Sequence, residues 1–257
     1  MPAESGGRAT NRAGGAAPVG IIRRVRFRAI FFDVGETLVH PHPSFPELFA
    51  GVLAREGFPV GVEAVSAQIH HVGDRFSQAA REEELWTTSP DRSRAFWLSV
   101  YRRFLAGMDL PTNGGLPETL YREFTDLANY ALFDDVLPAL AELRHTGVLL
   151  GVVSNYEDWL ERLLERLGVL ADFDVRVISG LEGVEKPDPR IYRLALDRAG
   201  VEPAEAAFVG DSPEFDIDPP AALGMFPVLI DRRDRHPAFV GARIHRLTEL
   251  PAILAAA

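Results

Sequence analysis

The segment Arg28-Ala29-Ile30-Phe31-Phe32-Asp33-Val34-Gly35-Glu36-Thr37-Leu38-Val39 limits what this chain can fold into more than any other stretch. An apolar run ends in one aspartate, and a glycine and a threonine follow closely. Apolar runs of this length, bounded by turn residues, read as strands of a parallel sheet buried on both faces. In open α/β sheets the ligand crevice lies outside the carboxyl ends of the strands. Asp33 therefore falls where chemistry is usually done. A carboxylate can also leave a core at a strand end for no chemical reason. That reading weakens because the chain repeats the pattern: apolar runs lead to Ser154-Asn155, towards Lys186, and to Gly210-Asp211-Ser212 with Asp216.

From Asp135 onward helices and strands alternate. The pattern predicts helix Val136–His145, strand Val148–Val153, helix Trp159–Leu167, strand Val175–Ile178, helix Arg190–Ala199, strands Ala206–Val209 and Phe226–Ile230, and a closing helix near Thr248–Leu254. Strands separated by helical segments imply βαβ units and a parallel sheet. The expected core spans 21–39 and 132–257. Between the two pieces, residues 40–131 are helical in pattern and form an insertion directly after Asp33. Its predicted helices are Pro46–Glu56, Val62–Glu84, Asp91–Ala106 and Pro117–Tyr130. Leu48, Val52, Phe76, Phe96, Trp97, Val100, Tyr101, Phe104, Tyr121 and Phe124 recur at helical spacing, as the core of a small bundle would. Residues 1–20 are Gly-, Ala- and polar-rich and predict a disordered tail. Arg23-Arg24 precedes a charged, alternating stretch rather than the apolar segment of a twin-arginine leader.

Composition closes off several functions. The net charge is −10, with a pI near 5.2, which disfavours nucleic acid and anionic membranes as partners. No window approaches the ~18 apolar residues of a membrane span, and a cytoplasmic location is expected. With no cysteine, neither disulfides nor thiolate chemistry is available. Lys186 is the only lysine in a chain that otherwise uses arginine. Because ammonium and guanidinium are not interchangeable in tight sites, its retention marks a place where a compact cation is needed.

Asp33, Asp211 and Asp216 would concentrate negative charge at one sheet edge, which favours a bound cation. Oxygen donors without histidine or cysteine select Mg2+. Lys186 and Ser154, with Asn155 beside it, can hold a tetrahedral anion. A carboxylate nucleophile beside a metal and a lysine fits phosphoryl transfer through an aspartyl-phosphate. His40 and His42 lie in a proline-rich loop. His70 and His71 are adjacent and are expected on different sides of a helix, with no carboxylate to complete a metal site.

The motifs FFDVGETLV, VVSN, EKPDPRIY and VGDSPEFD, in this order and at these separations, resemble the haloacid dehalogenase-like hydrolase superfamily from residue 27 to 255. The run SNYEDWLERLLERLGV and the link Leu181–Ile191 are similar to the subgroup with a helical cap inserted after the first motif. The resemblance implies an α/β, Rossmann-like parallel sheet of order 3-2-1-4-5 under a helical cap. It implies Mg2+ and a small phosphorylated metabolite as substrate, with monomer and homodimer both open. It casts Asp33 as nucleophile and metal ligand, and Thr37 and Ser154 as the hydroxyls that hold the nucleophile loop and the phosphate. Lys186 becomes the neutralising ammonium, and Asp211, Asp216 and the Gly35 carbonyl become metal ligands.

One position departs from the family. Its phosphatases carry a second aspartate two residues after the nucleophile, where it protonates the leaving group and activates water; here Gly35 stands there. Glu36 is the neighbouring carboxylate, at a position where the family has glycine. Two other functions stay open at this point. One is a dehalogenase-type hydrolase, in which Tyr192 would serve, although a tyrosine there also packs as core and the acidic fourth motif disfavours this reading. The other is a catalytically weak protein that binds a phosphorylated ligand.

Overall fold

The structure is a computed structural model that describes residues 26–257. The expected tail over residues 1–20 and the Arg23-Arg24 pair lie outside the described residues. In chain order the strands are β1 (Ala29–Phe32), β2 (Val39–Pro41), β3 (Tyr130–Leu132), β4 (Leu149–Ser154), β5 (Val175–Ile178), β6 (Ala206–Gly210), β7 (Phe226–Ile230) and β8 (Arg243–Ile244). Six of them form one sheet of order β5-β4-β1-β6-β7-β8, with every pairing parallel. This is the expected Rossmann-like order, extended at one edge by the two-residue β8.

β1 lies in the middle because it is apolar on both faces. Ile30 and Phe32 join the core on one side, with Val152, Val209 and the helix Val136–His145. Ala29 and Phe31 join the other, with Val153, Phe208 and the helix Pro189–Ala199. Beyond Phe32 the chain keeps its register for one more bond, Asp33 N to Val209 O at 2.9 Å, and then turns. Leu38 N and Val39 N both bond Val34 O, at 2.8 and 2.9 Å, closing a loop that holds Gly35, Glu36 and Thr37 beyond the sheet edge.

β2 and β3 pair antiparallel, and the helical cap leaves and returns through this ribbon. Ser44 and Ser89 cap the helices Phe45–Arg55 and Pro90–Gly107, each accepting from a backbone amide three residues on. The ten residues expected at the centre of the bundle all pack in its core; Phe76, Trp97 and Tyr121 remain partly exposed. Two predicted helices end differently. Val62–Glu84 is broken into Val62–Ser66 and His70–Arg81. Pro117–Tyr130 stops at Phe124, because Tyr130–Leu132 is drawn off to pair with β2. Among the described residues, no helix is long and apolar enough to cross a membrane.

Candidate active site

At the carboxyl edge of the sheet, Asp33 follows β1, Ser154 ends β4 and Asp211 follows β6, all at adjacent strand ends. The Asp33 Oδ1 atom accepts from Lys186 Nζ at 2.7 Å and from Ser154 Oγ at 3.1 Å. Lys186 Nζ also donates to Asp216 Oδ1 at 2.7 Å, so one buried ammonium bridges two buried carboxylates. Asn155 fixes the lysine's backbone from both sides. Its Nδ2 donates to Lys186 O at 2.8 Å, and its Oδ1 accepts from Lys186 N at 2.6 Å. Asn155 thus positions Lys186.

Asp216 sits on a wide π-type turn, Pro213–Ile217, and its Oδ2 accepts from Ser212 N at 3.0 Å. The turn carries the carboxylate back over Gly210, where an added Cβ would lie 2.3 Å from Asp216 Cγ. Only glycine allows that approach. Asp33, Asp211 and Asp216 offer carboxylate oxygens within 4.8 Å of one another. Burial pushes the Asp211 carboxyl well above the usual range, and the charges of Asp33 and Asp216 add to it. Burial likewise pushes Asp216 up to about 6, although Lys186 opposes this. Burial alone would depress Lys186, but Asp216 and Asp33 outweigh it and hold the ammonium well above its ordinary value. Among the described residues no hydrogen bond reaches the Asp211 carboxylate. An all-oxygen donor set with one unpaired, repelled carboxylate fits a hard divalent cation such as Mg2+.

The Thr37 hydroxyl is fully buried without a hydrogen-bond partner, while the Thr37 carbonyl accepts from Arg232 Nη2 at 2.8 Å. Arg232 also forks onto Asp135, at 2.9 and 3.0 Å, and lies 3.9 Å over the Phe133 ring. It ties the Asp33 loop to the start of the helix Val136–His145, and local sequence does not separate it from its arginine neighbours. Gly35 follows Asp33 by two residues; a Cβ there would meet nothing within 4 Å, and Gly35 is not among the glycines at positive φ. Glu36 adopts a φ of 56°, the left-handed region, and its carboxylate is held by Arg233 at 2.8 Å.

One alternative is decided and one expectation needs correction. Tyr192, open as either a dehalogenase residue or a core residue, is fully buried against Phe208, and its hydroxyl donates to the Phe215 carbonyl. It is a core residue. His70 and His71 do not face apart: their ring centroids lie 4.1 Å from each other, and Asp74 brings a carboxylate within metal-ligand reach. The His70 ring folds back so that Nδ1 meets Ala67 O at 3.0 Å, which overrides the angular spacing of neighbours on a helix. The trio shares no residue with the centre around Asp33.

Sequence reasoning missed two glutamates under the cap. Glu185 accepts from the amides of Trp86 and Thr87, at 2.9 and 2.8 Å, and from the Thr87 hydroxyl. Glu157 accepts from the Ser93 hydroxyl and from Trp159 Nε1, the latter at 2.9 Å. The one visible signal was the adjacency of Glu185 to Lys186.

A doubly wound parallel sheet, a carboxylate–lysine centre at its carboxyl edge and a helical cap inserted after the first strand define a cap-bearing α/β hydrolase. The haloacid dehalogenase-like hydrolase family model matches residues 27–224, and the chain belongs to that family. It is 32% identical over 217 residues to human haloacid dehalogenase-like hydrolase domain-containing protein 3, covering 80% of this chain and 83% of that protein. It is 30% identical over 226 residues to a phosphoserine phosphatase of Thermus thermophilus, covering 80% and 89%. Among solved structures, a phosphatase of the family from Thermococcus onnurineus superimposes with a TM-score of 0.58 at 26% identity, covering 89% of this chain and 98% of that one. Dehalogenases share the fold as well.

Proposed function

We propose that this hydrolase is a Mg2+-dependent phosphatase that transfers a phosphoryl group to Asp33 and then to water, on a small phosphorylated metabolite. The observation that carries this is Asp33 Oδ1 held by Lys186 and Ser154, with Asp211 and Asp216 within 4.8 Å. Both donors to that oxygen, the Lys186 ammonium and the Ser154 hydroxyl, also suit phosphoryl oxygens. The metal would be held by Asp33, Asp211, Asp216 and the Gly35 carbonyl, and would supply positive charge against the phosphoryl oxygens.

The chain's own residues account for the rest. Lys186 orients Asp33 through Oδ1 and offsets charge during transfer. The second Asp33 oxygen attacks phosphorus, the bond to the leaving oxygen breaks, and that oxygen departs with its electron pair. The Thr37 and Ser154 hydroxyls retain the transferred group. Water then attacks phosphorus, releasing phosphate and regenerating Asp33. No carboxylate at position 35 protonates the leaving group, so substrates whose leaving group departs as an anion are favoured. The cap, residues 40–131, selects that group.

Mg2+-dependent phosphate release from an aryl phosphate, abolished by Asp33→Asn, is the expected result. Release of halide from 2-haloacids without phosphate release from any monoester would overturn the reading.

A further inference from the structure

Between cap and core lies a cavity of about 100 Å3 that reaches Asn155. Nine of its fifteen lining residues are aromatic, including Trp86, Trp97, Tyr121, Tyr130, Tyr156 and Trp159. Asn155 directly follows Ser154, whose hydroxyl donates to Asp33 Oδ1 at 3.1 Å, and this places the cavity beside the nucleophile. One lining residue is charged, Glu157, and no lysine, arginine or histidine lines the cavity. Trp159 Nε1, which can only donate, and the Ser93 hydroxyl both approach the Glu157 carboxylate. Donors on this side hold the group as an acceptor. Burial still pushes its carboxyl up, the response of an anion without a cationic partner.

Resting on the phosphatase reading, we propose that the leaving group is a phenol that carries a protonated amine and no acidic group. Three independent observations converge on it. Aromatic walls stack on a flat ring and attract a cation through their π faces. A buried carboxylate without a basic neighbour attracts an ammonium and repels a carboxylate. Gly35, finally, leaves no carboxyl two residues after Asp33 to protonate the scissile oxygen. Phenols ionise near pH ~10 and so depart unprotonated far more readily than alkoxides.

The phosphate monoesters of tyramine, phenol and para-hydroxyphenylacetic acid share a ring and nearly the same leaving oxygen, and differ in charge. The tyramine ester is expected to exceed the phenol ester by ~10-fold in kcat/KM, and the acidic ester to fall below it by a similar factor. Glu157→Gln should collapse the ratio between the basic and acidic esters towards one. A merely structural Glu157 would lower all three rates together and leave the ratio unchanged. Calorimetric binding of the free phenols reads the same preference without turnover, so it stands apart from the phosphatase reading. If phosphate is released from all three esters equally and the three phenols bind equally, the inference is wrong and the phosphatase remains. If no ester is cleaved yet tyramine binds preferentially, the cavity's selectivity stands and the phosphatase reading falls. Preferential binding of the acidic phenol overturns the inference outright.

Discussion

Gly35→Asp places a carboxylate two residues after Asp33, where the phosphatases of the family keep their general acid–base group. The backbone tolerates it: a Cβ at Gly35 meets nothing within 4 Å, and φ there is not in the positive range. The cost is electrostatic. Asp33, Asp211 and Asp216 already converge within 4.8 Å. Each added close carboxylate pair contributes roughly 3 kcal/mol of repulsion at an effective dielectric of ~20. The metal-free variant should therefore melt several degrees below wild type, and millimolar Mg2+ should recover most of the loss. The gain is kinetic. General acid–base catalysis is typically worth ~10²–10⁴-fold, and it matters most for leaving groups that need a proton. Steady-state rates over a series of phosphate esters would show a steep dependence on leaving-group basicity in wild type. In Gly35→Asp that slope should flatten, with alkyl phosphates gaining ~10²-fold and aryl phosphates little. Wild-type turnover of alkyl phosphates at ordinary enzymatic rates, abolished by Glu36→Gln, would refute the reasoning. Glu36 would then do the proton work despite its ion pair with Arg233.

Lys186→Arg should lose most activity in the same phosphate-release assay, because a planar guanidinium cannot sit 2.7 Å from both Asp33 and Asp216 in a site built around an ammonium. Mg2+ at about a hundred times its dissociation constant should add about 2.7 kcal/mol, or roughly 5–10 °C in Tm, by differential scanning fluorimetry. Asp211→Asn should remove most of that shift. Burial raises the Asp135 carboxyl, but the Arg232 fork and the Leu247 amide outweigh it and lower it overall. Its contribution is thus complete above the unfolded carboxylate pKa of ~3.9 and is lost as pH falls through the lower folded value. Asp135→Asn should cost about 3–5 kcal/mol in urea unfolding at pH 7, and the gap to wild type should narrow below pH ~3.9.

The centre was legible because each of its groups ends or follows a continuous apolar run, and a run buried on both faces leaves few places for a carboxylate to go. The parallel sheet followed from the same runs, and its order from the resemblance of the motifs to the family. β8 was not legible: two residues are too few to show a period. Nor was the halt at Phe124, since the pull on Tyr130–Leu132 comes from β2, about ninety positions earlier. The break after Ser66 contains no proline or glycine, so no local signal marks it. Glu157 and Glu185 were missed for a related reason. Their partners on the cap lie 64 and 98 or 99 residues away in sequence, and a buried carboxylate cannot be told from a surface one until those partners are placed.

The central claim is that Asp33 carries the phosphoryl group during turnover. Rapid mixing of enzyme, Mg2+ and an excess of aryl phosphate, followed by acid quench and peptide mass spectrometry, tests it directly. The expected result is a phosphoryl adduct on the peptide containing Asp33, formed in a burst that precedes steady phosphate release and absent in Asp33→Asn. Steady turnover with no adduct, or an adduct confined to another residue, would contradict it.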